Sequence, residues 1–171
     1  MSDLRHTGDA WVVAADGGRY WGKFGAAGLL AFDPSRGILM QLRVSWSDHG
    51  GTWGIPGGAR HENEGPVEAA LRESNEEAGV PFDSVRAHYL YQIDRGGWTY
   101  TTVIADVTTP FEPEITDPES HALGWIGLDD VTSYDLHPGF AASWPLLAPV
   151  LSGDRAAIDH MLSEGTLTRI A

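Results

Sequence analysis

The sequence contains no cysteine. Disulfide frameworks, thiol nucleophiles and cysteine-based zinc sites are therefore excluded. No apolar run approaches the roughly 18–20 residues of a membrane span, so no membrane partner is expected. The polar start, Met1 to Gly8, lacks the apolar stretch of a secretory signal, which makes a cytoplasmic setting the expectation. Basic side chains are scarce: 11 Lys and Arg stand against 24 Asp and Glu, for a formal net charge of −13. Duplex nucleic acid needs a basic face, so it is not an expected partner. The seven histidines show no metal-ligand spacing at i and i+4. No repeat, low-complexity tract or linker divides the chain, and 171 residues fit one domain over 1–171.

What the chain does hold is apolar residues at 42%, 21 glycines and 7 tryptophans, enough for a real core with many turns. Ala10 to Ala15 reads as a strand ending at the turn Asp16-Gly17-Gly18. Phe24 to Phe32 is a nearly continuous run of apolar and small residues, as in a strand buried on both faces. Asp33 to Gly37 is turn chemistry, and Ile38 to Val44 is the next strand, so these two runs predict a hairpin. Thr52 to Ile55 is a short extended piece broken by Pro56-Gly57-Gly58. The spacing then predicts a helix over Pro66 to Ala78, with proline in its first turn and Gly79 at its end. Arg86 to Ile93 and Thr99 to Val107 predict a second hairpin. Thr108 to Ser120 is an acidic, proline-rich loop, and Leu123 to Ile126 a short strand. Two helices close the pattern, Pro138 to Leu151 and Arg155 to Ser163. Mixed strands with one central and two late helices predict an α/β fold, a sandwich around a mixed sheet.

The central helix carries Glu73, Glu76 and Glu77 at i, i+3 and i+4, on one face. Like charges so placed repel. The apolar stripe Val67, Leu71, Ser74 and Ala78 lies to the other side, so the acids face solvent or a cleft. A hard divalent cation turns that repulsion into ligation, since Mg²⁺ and Mn²⁺ take oxygen ligands. The plain alternative is a solvated acidic helix face.

The surroundings weigh against that alternative. From Gly58 there are five residues to Glu64, seven more to Arg72-Glu73, then two to Glu76-Glu77, one to Gly79, and Val80. This resembles the Nudix box over Gly58 to Val80, with every fixed identity present. Trp53 to Gly57 looks like the strand and turn that lead into such a box. One position departs: Ser74 stands where the family has an aliphatic residue. Ser74 belongs to the core stripe, so its hydroxyl bears on packing and leaves the acids in place.

The resemblance implies a Nudix-type α/β/α sandwich and a hydrolase acting on a nucleoside diphosphate linked to another moiety, by water attack on phosphorus. It implies Mg²⁺ (or Mn²⁺) held by Glu73, Glu76 and Glu77, which neutralises phosphate oxygens and lowers the pKa of a bound water. Gly58 matches the tight loop glycine, and Glu64 and Arg72 match positions that orient the ligands. The general base falls on a box glutamate or on an acid of the downstream loop. Glu119, six residues before Trp125, is the first candidate there as base or outer ligand, with Glu112 and Glu114 behind it. Arg43 stands where relatives often carry an arginine near the phosphates; pairing with an acid explains it equally well. Trp46, Trp53 and Trp98 are candidates to stack on a base, or core anchors. His137 reads as a turn residue.

Signatures of ADP-ribose, diadenosine-polyphosphate and NADH hydrolases outside the box are missing, which tilts the substrate toward a small nucleoside triphosphate or a generic diphosphate. Dimers are frequent in the family, and the Trp-rich strands offer an interface for a homodimer. Three other readings compete. One is a non-hydrolytic nucleotide- or phosphosugar-binding module, which retention of every box acid disfavours. Another is a cation-binding protein without phosphate chemistry, which gives no reason for Arg72 and the glycine turn. The third is a Nudix-like isomerase, whose catalytic residues are not found.

Overall fold

The computed structural model describes residues 7–170, so Met1 to His6 of the polar start, and Ala171, lie outside the described residues. Strands β1 (Trp11–Val13) and β2 (Arg19–Trp21) form a separate two-stranded ribbon. The main sheet holds β3 (Ala26–Asp33), β4 (Gly37–Arg43), β5 (Trp53–Gly54), β6 (Gly57–Ala59), β7 (Val85–Asp94), β8 (Thr99–Val107), β9 (Ser120–Ile126) and β10 (Leu167–Arg169). Helices α1 (Pro66–Ala78), α2 (Pro138–Leu151) and α3 (Arg155–Glu164) complete the fold, with a 3₁₀ turn at Leu128–Ser133. None of these helices is long and apolar enough to cross a membrane.

The sheet runs β10-β7-β8-β3-β4-β5 and is mixed, because β3 lies parallel to β8 and antiparallel to β4. The expected hairpin of β3 and β4 is present only at its closed end, where Phe32 pairs Ile38 and Asp33 pairs Gly37. Its turn is fixed by the Asp33 carboxylate, which accepts from the Ser35 N–H (2.9 Å) and hydroxyl (2.8 Å) and from Arg36 Nε (2.9 Å). Beyond that the two strands part. The start of β3 pairs with β6, while β4 turns to β9 and β5. This splay opens the sheet into a cleft floored by Gly57 and Gly58. The expected break at Pro56-Gly57-Gly58 is shifted: Ile55 and Pro56 separate β5 from β6, and the two glycines pair with Ala27 and Gly28 of β3. Gly57 has no room for a side chain, since a Cβ there meets the Ala27 carbonyl oxygen at 2.5 Å.

Both faces of the sheet are covered, which explains the unbroken apolar run of β3. Its Ala27, Leu29 and Ala31 pack with Leu39, Val103 and Ala105 under Ala69, Ala70 and Ala78 of α1. Leu30 of the same strand faces the other way, with Ile38, Met40 and Ile104, under Trp144 and Leu147 of α2 and Ile158 and Met161 of α3. The result is the expected α/β/α sandwich. Small alanines on the α1 side let that helix sit close to β3 and β6. Helix α1 starts at Pro66 behind Gly65 and ends where Gly79 turns left-handed at φ 65°.

Ser74 is fully buried on α1, and its hydroxyl donates to the Leu71 carbonyl at 3.1 Å. The hydroxyl is satisfied within its own helix, so nothing else depends on it. Ser74→Ala removes a back-bonded side chain and gains helix propensity. The expected outcome is a urea midpoint equal to or above that of the parent, by up to about 1 kcal/mol in stability, at unchanged slope.

Candidate active site

The last turn of α1 is lashed to the acidic loop that follows β8. The Glu114 N–H donates to the Ala78 carbonyl at 2.9 Å, and the Thr116 hydroxyl donates to the Glu76 carbonyl. Ser120 at the start of β9 donates to the Glu77 carbonyl at 3.4 Å and accepts from Gln41 Nε2 at 2.5 Å. These carbonyls have no partner inside the helix, so the loop satisfies them. The same lashing carries Asp117 and Glu119 to the side chain of Glu77. One carboxylate oxygen from each of the three lies within 4.8 Å of the other two. Asp117 and Glu119 are held relative to each other by a turn in which the Glu119 N–H donates to Asp117 Oδ1 at 3.0 Å.

Glu77 is 3% exposed and accepts one hydrogen bond, from the Gly57 N–H at 3.0 Å. Burial pushes its carboxyl well above the ordinary range, and Glu73, Glu119 and Asp117 push it further. Glu73 is raised to about 7, by burial first, with Glu76 and Glu119 adding and Arg72 opposing. A carboxylate trio of this kind is a donor set of oxygens only, and it suits a hard divalent cation. The raised carboxyls are the mark of a site whose charge the polypeptide leaves uncompensated.

Arg72 organises the other side. It reaches Glu64 through Nε (2.8 Å) and Nη2 (2.9 Å), Glu73 at 2.9 Å, Glu76 at 3.3 Å and the Ala59 carbonyl at 3.0 Å. Burial alone would raise Glu64; the Arg72 bonds and the His61 N–H outweigh it and hold that carboxyl below its usual range. Glu64 thus stays ionised as the counter-charge that fixes Arg72, and Arg72 aims Glu73. Gly58 sits in β6, and its φ is not among the positive values. The expectation of a tight turn there is corrected: Gly58 is needed for space, because a Cβ would lie 2.7 Å from the Glu73 carboxyl carbon.

A cleft of about 920 Å³ contains Glu73, Glu76, Glu77, Asp117 and Glu119. It also contains Arg43, Trp46 and Trp98 from the sequence reading. Glu76 stands at the rim, half-exposed and paired to Arg72, outside the compact trio. Arg43 spends its Nε on the Asp48 carbonyl at 2.9 Å, which fixes the loop after β4. Trp46 in that loop is 69% exposed. Trp98 is buried, stacked on Tyr20 at 4.3 Å and bonded to the Trp21 carbonyl at 3.3 Å. Trp53 packs edge-on against Tyr134. Glu112 pairs with Arg36 at 2.9 Å, and neither Glu112 nor Glu114 lines the cleft.

Sequence reasoning passed over several contributors. Asp117 was one acid among several in its loop; its position two residues before Glu119 was the available signal. His137 caps α2, with Nδ1 accepting from the Gly139 N–H at 3.0 Å, and its ring meets that of His49. Burial, with His49 and Arg43 nearby, lowers its pKa to about 4, so it lines the cleft as a neutral imidazole. Trp11 and Trp21 of the ribbon also line the cleft. Nothing in their local pattern separates them from core tryptophans.

The raised carboxyls give a pH dependence of definite sign. Folded Glu73 titrates near 7 against an ordinary 4.5, and Glu77 is displaced the same way. Their protonated forms are favoured in the fold, so stability is fullest below the unfolded value and is lost as pH rises through about 7. Without divalent cation, the melting temperature is expected to fall between pH 5 and pH 8. Millimolar Mg²⁺ is expected to flatten or reverse that slope, as followed by thermal denaturation.

A family profile described as NUDIX domain matches residues 22–148. A Mycobacterium tuberculosis protein provisionally named 8-oxo-dGTP diphosphatase 3 is 45% identical over 154 residues, covering 84% of this chain and 70% of that protein. A nucleoside triphosphate pyrophosphatase/Nudix hydrolase fusion protein of Bifidobacterium longum is 40% identical over 156 residues, 86% of this chain and 32% of its own length. Among solved structures, a Nudix hydrolase from M. smegmatis, RenU, is 44% identical with a TM-score of 0.74, covering 85% of this chain and 96% of that one. A C. elegans Ap4A hydrolase shares the fold, with a TM-score of 0.62 at 20% identity over 75% of this chain and 98% of its own. With its box complete from Gly58 to Val80 and its fold matched across most of its length, the chain belongs to the Nudix family of hydrolases.

Proposed function

We propose that this hydrolase cleaves a nucleoside triphosphate between its α and β phosphorus atoms, releasing a nucleoside monophosphate and pyrophosphate, with Mg²⁺ or Mn²⁺ as cofactor. The observation that carries the reading is the convergence of Glu77 with Asp117 and Glu119 from a loop distant in sequence, inside one cleft. The resemblance of the chain to a protein named as a diphosphatase of an oxidised deoxyguanosine triphosphate supports a triphosphate substrate and makes that nucleotide the first to test.

In this proposal Glu77, Asp117 and Glu119 hold the cation, with Glu76 at its edge. When bound, the cation screens the phosphate oxygens and makes a water more acidic. Glu73 takes the proton of the attacking water. It is desolvated, aimed by Arg72, and raised to about 7, near the working pH where a general base is most effective. Arg43, His49 and the neutral His137 line the same cleft and offer donors to phosphate oxygens. Glu119, a candidate base or outer ligand from the sequence, is exposed and is assigned to the cation because it belongs to the trio.

The test is turnover with Mg²⁺ and with Mn²⁺ on 8-oxo-dGTP, the common triphosphates, ADP-ribose, NADH, CoA and dinucleoside polyphosphates. Pyrophosphate release from a triphosphate is expected. Glu73→Gln and Glu77→Gln are each expected to lower kcat by about 100-fold or more, and only Glu77→Gln is expected to weaken Mn²⁺ binding strongly. Full turnover by Glu77→Gln would sink the ligand assignment. Binding of a nucleotide without turnover of any compound would favour the non-hydrolytic module.

Gly58 supplies a separate check. Gly58→Ala places a methyl group where the Glu73 carboxylate lies, and a flexible carboxylate moves more readily than a backbone. The variant is expected to fold with an unchanged circular-dichroism spectrum and to lose about tenfold or more in kcat.

A further inference from the structure

We propose that the β1–β2 ribbon is the nucleobase subsite of this cleft, with the indoles of Trp11 and Trp21 as its stacking platform; the proposal rests on the reading of the substrate as a nucleotide. The ribbon is only three residues long on each strand, yet it presents two tryptophans side by side. Trp11 pairs with Trp21 across the ladder, their rings edge-to-face at 5.3 Å. Residues alternate across a strand, so Val12 and Tyr20 turn to the body, where they pack against Trp98, Ala14 and Ala26. The opposite face is left with Trp11, Trp21, Val13 and Arg19, all exposed, the two indoles at 41% each. Exposed paired tryptophans on a short ribbon bring no core packing to the fold.

Three observations direct this face to the substrate. First, Trp11, Trp21 and Arg19 line the same cleft as the carboxylate trio, so one molecule can touch both. Second, the platform is set in advance. Arg19 lies over the Trp11 ring at 4.5 Å, and the ribbon is anchored to the β7–β8 turn, where the Ala15 and Asp16 N–H groups donate to the Gly96 and Arg95 carbonyls at 2.7 and 3.1 Å. Gly96 is itself confined by Ala15, whose Cβ would lie 2.4 Å from an added side chain. Third, the chemistry divides along the cleft. Its acidic end suits a cation and phosphates, whereas the ribbon end offers flat apolar rings with Arg19 and Arg95 beside them, a surface for a planar base. Trp98, one of the three stacking candidates in the sequence with Trp46 and Trp53, supports this platform from beneath, since its own face is taken by Tyr20.

The experiment compares dGTP with ribose 5-triphosphate, which carries the same phosphates and no base, and measures dGMP binding by calorimetry without turnover. Loss of a stacking partner weakens base binding by about tenfold or more. For Trp21→Ala, the ratio of kcat/KM for dGTP over ribose 5-triphosphate is expected to collapse about tenfold, mainly through KM, and dGMP affinity to fall equally. Trp21→Phe keeps a ring and is expected to recover most of both, which separates stacking from damage to the ribbon. An unchanged ratio and unchanged dGMP affinity in Trp21→Ala overturn the proposal. So does a sedimentation result in which Trp21→Ala dissociates a dimer while dGMP affinity stays at the parent value, because the face is then a contact between copies. Failure of the parent to hydrolyse any triphosphate overturns the functional reading alone, since dGMP binding still reports on the ribbon.

Discussion

The structure depends on keeping several carboxylates close together around one that water barely reaches. Glu77 is the pivot. Its side chain is buried against the Gly57 N–H, its backbone carbonyl receives Ser120, and its carboxylate faces Asp117 and Glu119. The loop bearing those two acids docks on the C-terminal turn of α1, the end where a helix dipole already disfavours negative charge. Backbone and hydroxyl hydrogen bonds hold the loop there against electrostatic repulsion. The fold therefore stores an unfavourable charge arrangement that the proposed cation would relieve, and the raised carboxyls of Glu73 and Glu77 are the trace of that storage.

Geometry keeps the repulsion from scattering the acids. Glycine at 57 and 58 brings the β6 backbone within hydrogen-bond reach of one glutamate and leaves room for another. Arg72 supplies an internal counter-charge, and Glu64 fixes Arg72. A lysine at position 72 would keep the charge and lose the fork that reaches Glu64, Glu73 and the Ala59 carbonyl at once. The same logic explains why Ser74 is tolerated where an aliphatic residue is usual. It lies on the face turned to β3, away from the acids, and bonds only within its helix.

Much of this was legible in the sequence, because helix α1 is a local structure. Its proline start, its glycine end and its two faces follow from residues 66 to 79, and the acids of the box sit at helical spacing. The sheet was readable where the strands are long. The pieces that escaped are three-residue strands, β2, β6 and β10, which have no periodicity of their own and exist because a neighbour offers a free edge. Asp117 escaped for a related reason. Its spacing from Glu119 was the one local hint; the docking of the loop on α1 is what sends one acid to Glu77 and another to Arg36. Tryptophans were ambiguous in the same way. Trp98, in the turn before β8, is buried against Tyr20, whereas Trp21 is on the outward side of β2, and that difference is made by the tertiary fold.

The scarcity of positive charge takes on a different meaning once the cleft is drawn. The net charge of −13 excludes a polyanion that must lie along the whole surface. It does not exclude a small polyphosphate. Arg19, Arg43, Arg72 and Arg95 all line the one cleft, together with a His137 kept neutral by burial. Arg43 stands nearest the acids among those not already spent on them, Arg72 is held by Glu64 and Glu73, and Arg19 and Arg95 stand at the ribbon end. The acids beside them suit a divalent ion, as the proposed function has it. Under the proposed function the cation would come first: the acids of the cleft oppose a polyphosphate on their own, and an ion held among them would offset that opposition.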